Sequence, residues 1–343
     1  MSLASTRAPA SERPDDPLAA LLRACSDPTR LAILRLLAAD AFGVGELVEM
    51  LGLGQATISH HLKALSEAGV LSARRDGTHT FYRRALPAPG PGATVHSALL
   101  VVLFMAPLPA RHEAAREAVY EARAERSREF FSRHVDRFDA SRDLIAEPEA
   151  YLPELAELLP SSGQRALELG PGPGDFIPEL AARFGQVIAL DASEEMIERA
   201  RGRDEITGLD NVILLQGEIR GDEPEQADVA ALLMQPFDVI VCAMVLHHTP
   251  RPSALVARCA ELLAPGGYLL IADLCPHGQD WTHDTCGDVW PGIDPERLRA
   301  WADDAGLARG PSQFLARRNG FRIQLQRFEA DPGDGTAAPS HKT

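Results

Sequence analysis

Hydrophobic positions change period twice along the chain. From Pro17 to Ala68 they recur every three to four residues, which predicts helices. Leu18, Leu21, Leu22 and Cys25 make one, and Leu31, Ile33, Leu34, Leu36 and Leu37 a second, begun by Asp27 as N-cap with Pro28 in its first turn. A short third helix, 45–51, ends at Gly52-Leu53-Gly54, where glycine permits the left-handed reversal. A fourth, 55–68, buries Ile58, Leu62 and Leu65. The period then drops to two: 70–75 and 78–84 alternate around Asp76-Gly77, a two-residue hairpin signal. Helix, turn, helix and hairpin together predict a winged helix-turn-helix over residues 17–86.

Pro87 to Gly92 is a Pro/Gly linker, and 97–146 has the pattern of a helical connector, with Val119, Phe130, Phe131, Val135 and Phe138 on a broken apolar stripe. Linker and connector together occupy 87–150. From Leu155 the chain alternates helix-like segments with apolar runs at 165–169, 186–190, 212–215, 237–242 and 268–272, which predicts a mostly parallel, doubly wound α/β sheet within a domain over 151–329. Residues 1–16 and 330–343 lack any period, and their composition predicts disordered tails. No internal repeat is present.

Charge sharpens this division. Of 34 basic and 49 acidic side chains, 10 and 9 fall in residues 1–95, which leaves 24 against 40 in the rest. Such an acidic body repels phosphate backbones, so a nucleic-acid surface is expected only on the N-terminal domain. The five cysteines are scattered without a CxxC pair and follow no secretory leader, which predicts a reduced, cytoplasmic protein. The longest apolar stretch, 98–108, is broken by Pro107 and falls short of the roughly 20 residues a membrane span needs.

In a helix-turn-helix, the second helix reads the major groove with short polar side chains near its N-terminus. Those positions are Gln55, Thr57, Ser59 and His60, with Lys63 nearer the phosphates, while Arg74 and Arg75 of the hairpin are candidates for the backbone or minor groove. Adjacent His60 and His61 point about 100° apart on a helix and are poorly placed to share a metal. The segments Ala24-Cys-Ser-Asp-Pro-Thr-Arg-Leu-Ala-Ile-Leu, Ala56-Thr-Ile-Ser-His-His-Leu-Lys-Ala-Leu and Gly69-Val-Leu resemble the ArsR family of dimeric bacterial repressors over 17–86. Where metal-sensing members carry a cysteine pair, this chain has Phe42-Gly-Val-Gly45, without a thiolate for a soft metal. The resemblance implies a homodimer on a double-stranded DNA operator, with half-sites about 34 Å apart.

The second domain opens on Glu168-Leu-Gly170-Pro-Gly172-Pro-Gly174, which follows an apolar run. The spacing is GxGxG, with Asp175 where the dinucleotide fingerprint needs its last glycine, so a pyrophosphate is not indicated. Asp191, 23 residues after Glu168, closes the next run, where a carboxylate can accept from a ribose diol, and Glu218 follows the third and can accept from an adenine amino group. With Pro236-Phe-Asp-Val-Ile-Val, Val245-Leu-His-His and Leu262-Leu-Ala-Pro-Gly-Gly-Tyr-Leu-Leu-Ile, these features resemble class I S-adenosylmethionine-dependent methyltransferases, a Rossmann-like fold. By that resemblance Glu168 and the backbone of Gly170, Gly172 and Gly174 hold the methionine part, Asp191 the ribose, Ala192 and Met196 flank the adenine, and Glu218 with Ile219 reads its edge. The implied ligand is S-adenosylmethionine or S-adenosylhomocysteine.

Methyl transfer needs mainly alignment, and a base is optional. His247, His248 and His277 are candidate bases, with Asp280 and Asp284 beside them, and each histidine reads equally as a pocket wall. Cys275, His277, His283 and Cys286 lie within twelve residues but lack paired zinc knuckles, so no metal is expected, and Trp281 and Trp290 read as lid or wall. The whole pattern, including Ser127-Arg-Glu-Phe-Phe-Ser-Arg-His and Cys286-Gly-Asp-Val-Trp, resembles ArsR-type regulators fused to a methyltransferase domain, a group that includes S-adenosylhomocysteine-responsive repressors of methionine-cycle genes. Two functions remain open: a ligand-sensing repressor, and an active methyltransferase of a small molecule with its own DNA-binding domain. A DNA-base methyltransferase is disfavoured, since Cys242-Ala-Met-Val replaces the Pro-Pro-aromatic run such enzymes use.

Overall fold

The computed structural model describes residues 17–38, 40–76, 79–85, 87, 92–134, 137–220, 223–224, 227–279 and 281–333. The expected tail at 1–16, residues 334–343 of the expected tail at 330–343, and Gly77 and Thr78 of the hairpin turn lie outside the described residues. The chain forms two compact units, the first ending at Glu117 and the second beginning at Ala118.

The first unit contains α1 (Pro17–Ala24), α2 (Pro28–Leu36), β1 (Phe42–Gly43), α3 (Val44–Leu51), α4 (Gln55–Glu67), β2 (Leu71–Asp76), β3 (His79–Arg84) and α5 (Ala93–Met105). Asp27 caps α2 by accepting from the Arg30 N–H at 3.0 Å, a bond that lowers its pKa. Gly52 ends α3 at φ +64°, and its N–H satisfies the Val48 carbonyl. Ile33, Leu34, Leu37, Leu47, Ile58, Leu62 and Leu65 are fully buried and join the helices into one core. The antiparallel sheet order β1-β3-β2 completes the winged helix-turn-helix. Helix α5 docks on α2, where Arg35 Nε donates to the Leu103 carbonyl at 3.4 Å.

Helix α6 (Ala110–His134) contributes its residues from Ala118 onward to the second unit, followed by α7 (Phe138–Asp143) and α8 (Leu152–Glu157). The sheet comprises β4 (Gly163–Leu169), β5 (Phe184–Asp191), β6 (Val212–Gln216), β9 (Phe237–Ala243), β10 (Leu263–Leu274), β11 (Ala308–Ala316) and β12 (Arg322–Glu329) in the order β11-β12-β10-β9-β4-β5-β6. The short pair β7 (Ile219–Arg220) and β8 (Glu223–Pro224) stands apart from it. Strands β4, β5, β6, β9 and β10 are parallel, as their apolar runs predict. Helices α9 (Ile177–Arg183), α10 (Glu194–Arg201), α11 (Ala227–Leu233) and α12 (Pro252–Leu262) provide the crossovers. In β10, Pro265-Gly266-Gly267 forms a bulge: Gly266 has φ +73°, and a Cβ on Gly267 would meet the Ala264 and Phe237 carbonyls at 2.9 Å.

One feature lies beyond the alternation read from the sequence. β12 runs antiparallel to β10 and β11 antiparallel to β12, so the sheet is mixed at that edge. Strand order reverses at β4, which has β9 on one side and β5 on the other. A crevice at a doubly wound sheet's switch point is where ligands bind.

Candidate functional site

On α4, Gln55, Thr57, Ser59, His60 and Lys63 are all exposed, while Ile58 and Leu62 hold the opposite face in the core. His61 is half-buried, with Nδ1 3.8 Å from Asp27 Oδ1, so it belongs to the packing of α2 against α4. Lys63 lies 3.8 Å from Glu67, an exposed pair that costs little to exchange for a phosphate. Arg75 is exposed and opposite Thr80; Arg74, one residue earlier, is half-buried opposite Phe81. Strand alternation therefore presents the two arginines on different faces.

In the second unit, a cavity of about 320 Å³ opens at the carboxyl ends of β4, β5 and β6. Gly170, Gly172, Asp191, Ala192, Met196, Glu218 and Ile219 all line it. Asp191 accepts from the Gly172 N–H at 3.0 Å and the Ser193 N–H at 2.9 Å, and ties the glycine loop to the end of β5. Burial raises its pKa, and the two backbone bonds oppose that rise. Gly170 (φ +64°) cannot accept a Cβ, which would stand 2.7 Å from Val245. Gly174 does not line the cavity. It is buried at φ +85°, and a Cβ there would meet Ile206 at 2.6 Å, so its part is close packing behind the loop.

A second cavity of about 80 Å³ shares Gly170, Gly172, Phe131, Phe138, Met244 and His248 with the first, and adds Glu168 and His247. Glu168 is 2% exposed, and its Oε2 has no hydrogen-bond partner. Burial, reinforced by Asp175 and Asp191, pushes its pKa up to about 8. A buried carboxylate in that condition is satisfied by a cation, and the ammonium of a methionine moiety fits it. The lining fits a sulfonium or thioether nucleoside: Glu168 is a buried carboxyl able to meet a cationic amine, Asp191 a carboxylate able to accept from a diol, and among the described lining residues no cluster of donors for phosphate gathers.

The histidines divide in role. His247 is buried, and its Nδ1 lies 2.8 Å from Asp273 Oδ1. Burial alone would lower its pKa, but Asp273 and Asp288 raise it. His248 lines both cavities, and burial beside His247 holds its pKa well below normal. His277 packs edge-on against Phe321 and lines neither cavity. Asp280 and the side chain of Asp284 lie outside the described residues.

Cys275, His277, His283 and Cys286 do not gather as one ligand set. Among the described residues, the donors close enough to share an ion are His247, His248 and Asp288. Trp290 donates to the Thr249 carbonyl at 2.7 Å and lies under Arg123, while Trp281 packs on Phe321; neither lines either of these two cavities. Sequence reading missed Asp273, Asp288, Met244 and the wall made by α6. Met244, just after β9, has φ +59°, a left-handed value that is costly for any residue with a Cβ. Ala124, Ser127, Arg128 and Phe131 of α6 line the larger cavity, and Arg128 Nη1 donates to Glu218 Oε2 at 3.3 Å.

Comparison with known proteins identifies two family models in the chain. Residues 139–310 match the family model described as methyltransferase domain, and 27–73 match that of the bacterial regulatory proteins of the arsR family. A ubiquinone biosynthesis O-methyltransferase of Xylella fastidiosa (strain 9a5c) is 34% identical over 145 residues, 42% of this chain and 56% of that protein. One from Xanthomonas axonopodis pv. citri (strain 306) is 31% identical over 170 residues, 43% and 64% respectively. The chain thus spans between half and two thirds of these relatives' length. Among solved structures, N-methyltransferase NodS of Bradyrhizobium japonicum WM9, in complex with S-adenosyl-l-homocysteine, is 19% identical, with 60% of this chain and 98% of NodS covered at a TM-score of 0.46. With its 139–310 segment making up half of its length, the chain belongs to the methyltransferase-domain family and carries an ArsR-family helix-turn-helix at its N-terminal side.

Proposed function

We propose that the protein is a DNA-binding transcriptional regulator, a repressor, whose methyltransferase domain binds S-adenosylmethionine or S-adenosylhomocysteine as effector. The observation that carries this reading is the presence, on one chain, of an exposed polar α4 face and of a cavity lined by the buried Glu168, whose Oε2 has no hydrogen-bond partner. Helix α6 is the proposed lever. Its C-terminal half walls the cavity, and Arg128 holds the Glu218 that is assigned to the adenine edge. A ligand that competes for Glu218 removes the Arg128 contact and so changes the energy of this arrangement of α6 relative to any other, which is the requirement for shifting DNA affinity. Arg128→Ala is therefore expected to leave ligand binding within about threefold, roughly the worth of a half-exposed ion pair, while shrinking the ligand-dependent change in operator affinity. Equal ligand response in the variant removes α6 from this role.

The functional form is a homodimer on a pseudo-palindrome, as two-fold readers require. Val101, Val102 and Met105 of α5, 58%, 66% and 81% exposed, supply apolar surface for it. Operator affinity measured with and without each nucleoside tests the main reading; no difference in either titration ends it. Arg75→Ala is expected to weaken binding to every DNA sequence and to reduce the slope of log K against log salt by about one. An unchanged slope excludes Arg75 from the interface.

The second reading, methyl transfer to a small molecule, is favoured by the O-methyltransferase names of the relatives and by His248 at the cavity wall. S-adenosylmethionine supplies an electrophilic methyl group when bound, and His248, with its depressed pKa, stands neutral at pH 7 and able to accept a proton from an acceptor hydroxyl. Labelled S-adenosylmethionine incubated with protein and cell extract separates the readings: label transferred to a product establishes the enzyme, and label retained on the cofactor supports the sensor.

A further inference from the structure

We infer that His247, His248 and Asp288 form a binding site for a divalent transition metal of the zinc class, beside the nucleoside cavity. Asp288 is 2% exposed. The Thr282 hydroxyl faces it but donates to the Gln279 carbonyl at 3.2 Å, and neither Asp288 oxygen accepts a hydrogen bond. A buried carboxylate without donors is costly, and the structure offers it imidazoles instead. His247 Nε2 and His248 Nδ1 each stand 3.8 Å from Asp288 Oδ1. That is too long for a hydrogen bond and close to the spacing of two ligands on one ion: ligand bonds of about 2.1 Å in a tetrahedron place donors about 3.4 Å apart. A few tenths of an ångström of contraction brings each imidazole to that spacing from Asp288, and the three donor atoms already lie within 4.8 Å of one another.

The surroundings prepare these atoms for the role. Asp273, 0% exposed, accepts a hydrogen bond from the His247 Nδ1–H at 2.8 Å and is itself fixed by the Leu246 and Leu274 N–H groups. This sets the His247 tautomer with its Nε2 lone pair toward Asp288, the carboxylate–histidine arrangement that supports metal-bound imidazoles. His277 Nδ1 accepts weakly from the Gln279 N–H at 3.4 Å, which leaves the proton on Nε2, 3.9 Å from the Asp288 oxygen that does not bind and outside hydrogen-bond reach of it. His248 Nδ1 gives up only a loose 3.2 Å contact with the Gly287 carbonyl to join. Two imidazoles and one carboxylate leave an open coordination position, and both histidines line the smaller cavity.

The test uses the full-length protein, stripped with a chelator, then titrated with Zn²⁺ by calorimetry and with Co²⁺ by visible absorption. One ion per chain is expected, together with a Zn²⁺-dependent rise in melting temperature. Asp288→Asn should lower affinity at least about 100-fold, and Asp273→Asn about 10- to 100-fold. Because Asp288→Asn removes an unpartnered buried charge, the metal-free variant should melt no lower than the metal-free wild type and should gain nothing from Zn²⁺. His248→Gln gives a second, independent loss should the first variant fold poorly. The proposal is overturned if the wild type binds no stoichiometric ion, if Asp288→Asn binds equally well, or if binding disappears with Cys286→Ser while surviving Asp288→Asn, which would put the ion on the thiols.

Discussion

Replacing Asp191 with alanine is expected to abolish measurable binding of S-adenosylhomocysteine and S-adenosylmethionine while leaving the ligand-free affinity for DNA unchanged. The carboxylate has two duties at one place. Each oxygen accepts one backbone N–H, from Gly172 and from Ser193, and retains a lone pair for a ribose hydroxyl at the cavity wall. Two hydrogen bonds to a charged group contribute about 3 kcal/mol or more, which alone is at least a 100-fold loss of affinity. Loosening of the Gly170–Gly172 turn adds to that loss. Asp191→Asn keeps one acceptor and one of the backbone bonds, so it should fall between wild type and alanine. Calorimetry with both nucleosides checks the ligand side, and operator binding checks the reader. Undiminished heat in the alanine variant would remove Asp191 from the site, and loss of DNA binding with an intact melting transition would refute the independence of the ligand-free reader from this site.

Much of this was legible in the sequence because the signals are local. Asp27-Pro28, Gly52 and the alternation about β2 and β3 are short-range features with one structural solution each, and the structure has them. The apolar runs at 165–169, 186–190 and 237–242 fall inside β4, β5 and β9, and the polar residue that ends β5 is the Asp191 of the cavity. Strands β11 and β12 escape that logic. β11 reads Ala-Arg-Gly-Pro-Ser-Gln-Phe-Leu-Ala, an edge strand exposed along most of its length, where nothing enforces a period. Residues that meet across long separations escape it too. Asp273, Asp288 and His247 come from the end of β10, the loop after α13 (Trp281–Cys286) and the turn after β9, and no spacing rule joins them. Gly174 illustrates the opposite error: it shares a motif with Gly170 and Gly172, yet its neighbours are Ile177, Ala200 and Ile206, and the constraint on it is packing.

Glu168 makes ligand binding and stability depend on pH in opposite senses. In the ligand-free protein, burial lifts its pKa from 4.5 to about 8, so at pH 7 it is mostly protonated. The folded state then holds a proton that the unfolded chain has released. Stability contributed by this group therefore declines as pH rises from about 4.5 to 8 and is flat above. A cationic amine that binds the carboxylate requires that proton to leave. Affinity for S-adenosylhomocysteine should thus rise by up to about tenfold per pH unit between pH 6 and 8, with close to one proton released per ligand at the acid end. Glu168→Gln keeps the volume and removes the charge. It should flatten both profiles, raise the melting temperature at pH 8 relative to wild type, and weaken the ligand by at least about tenfold there, the worth of one charge-assisted hydrogen bond. Calorimetry at several pH values in buffers of different ionisation enthalpy measures the proton count directly. A wild-type affinity indifferent to pH, or a glutamine variant that binds as tightly at pH 8, would show that the amine lies elsewhere, and that the buried carboxyl is a structural group kept neutral by its surroundings.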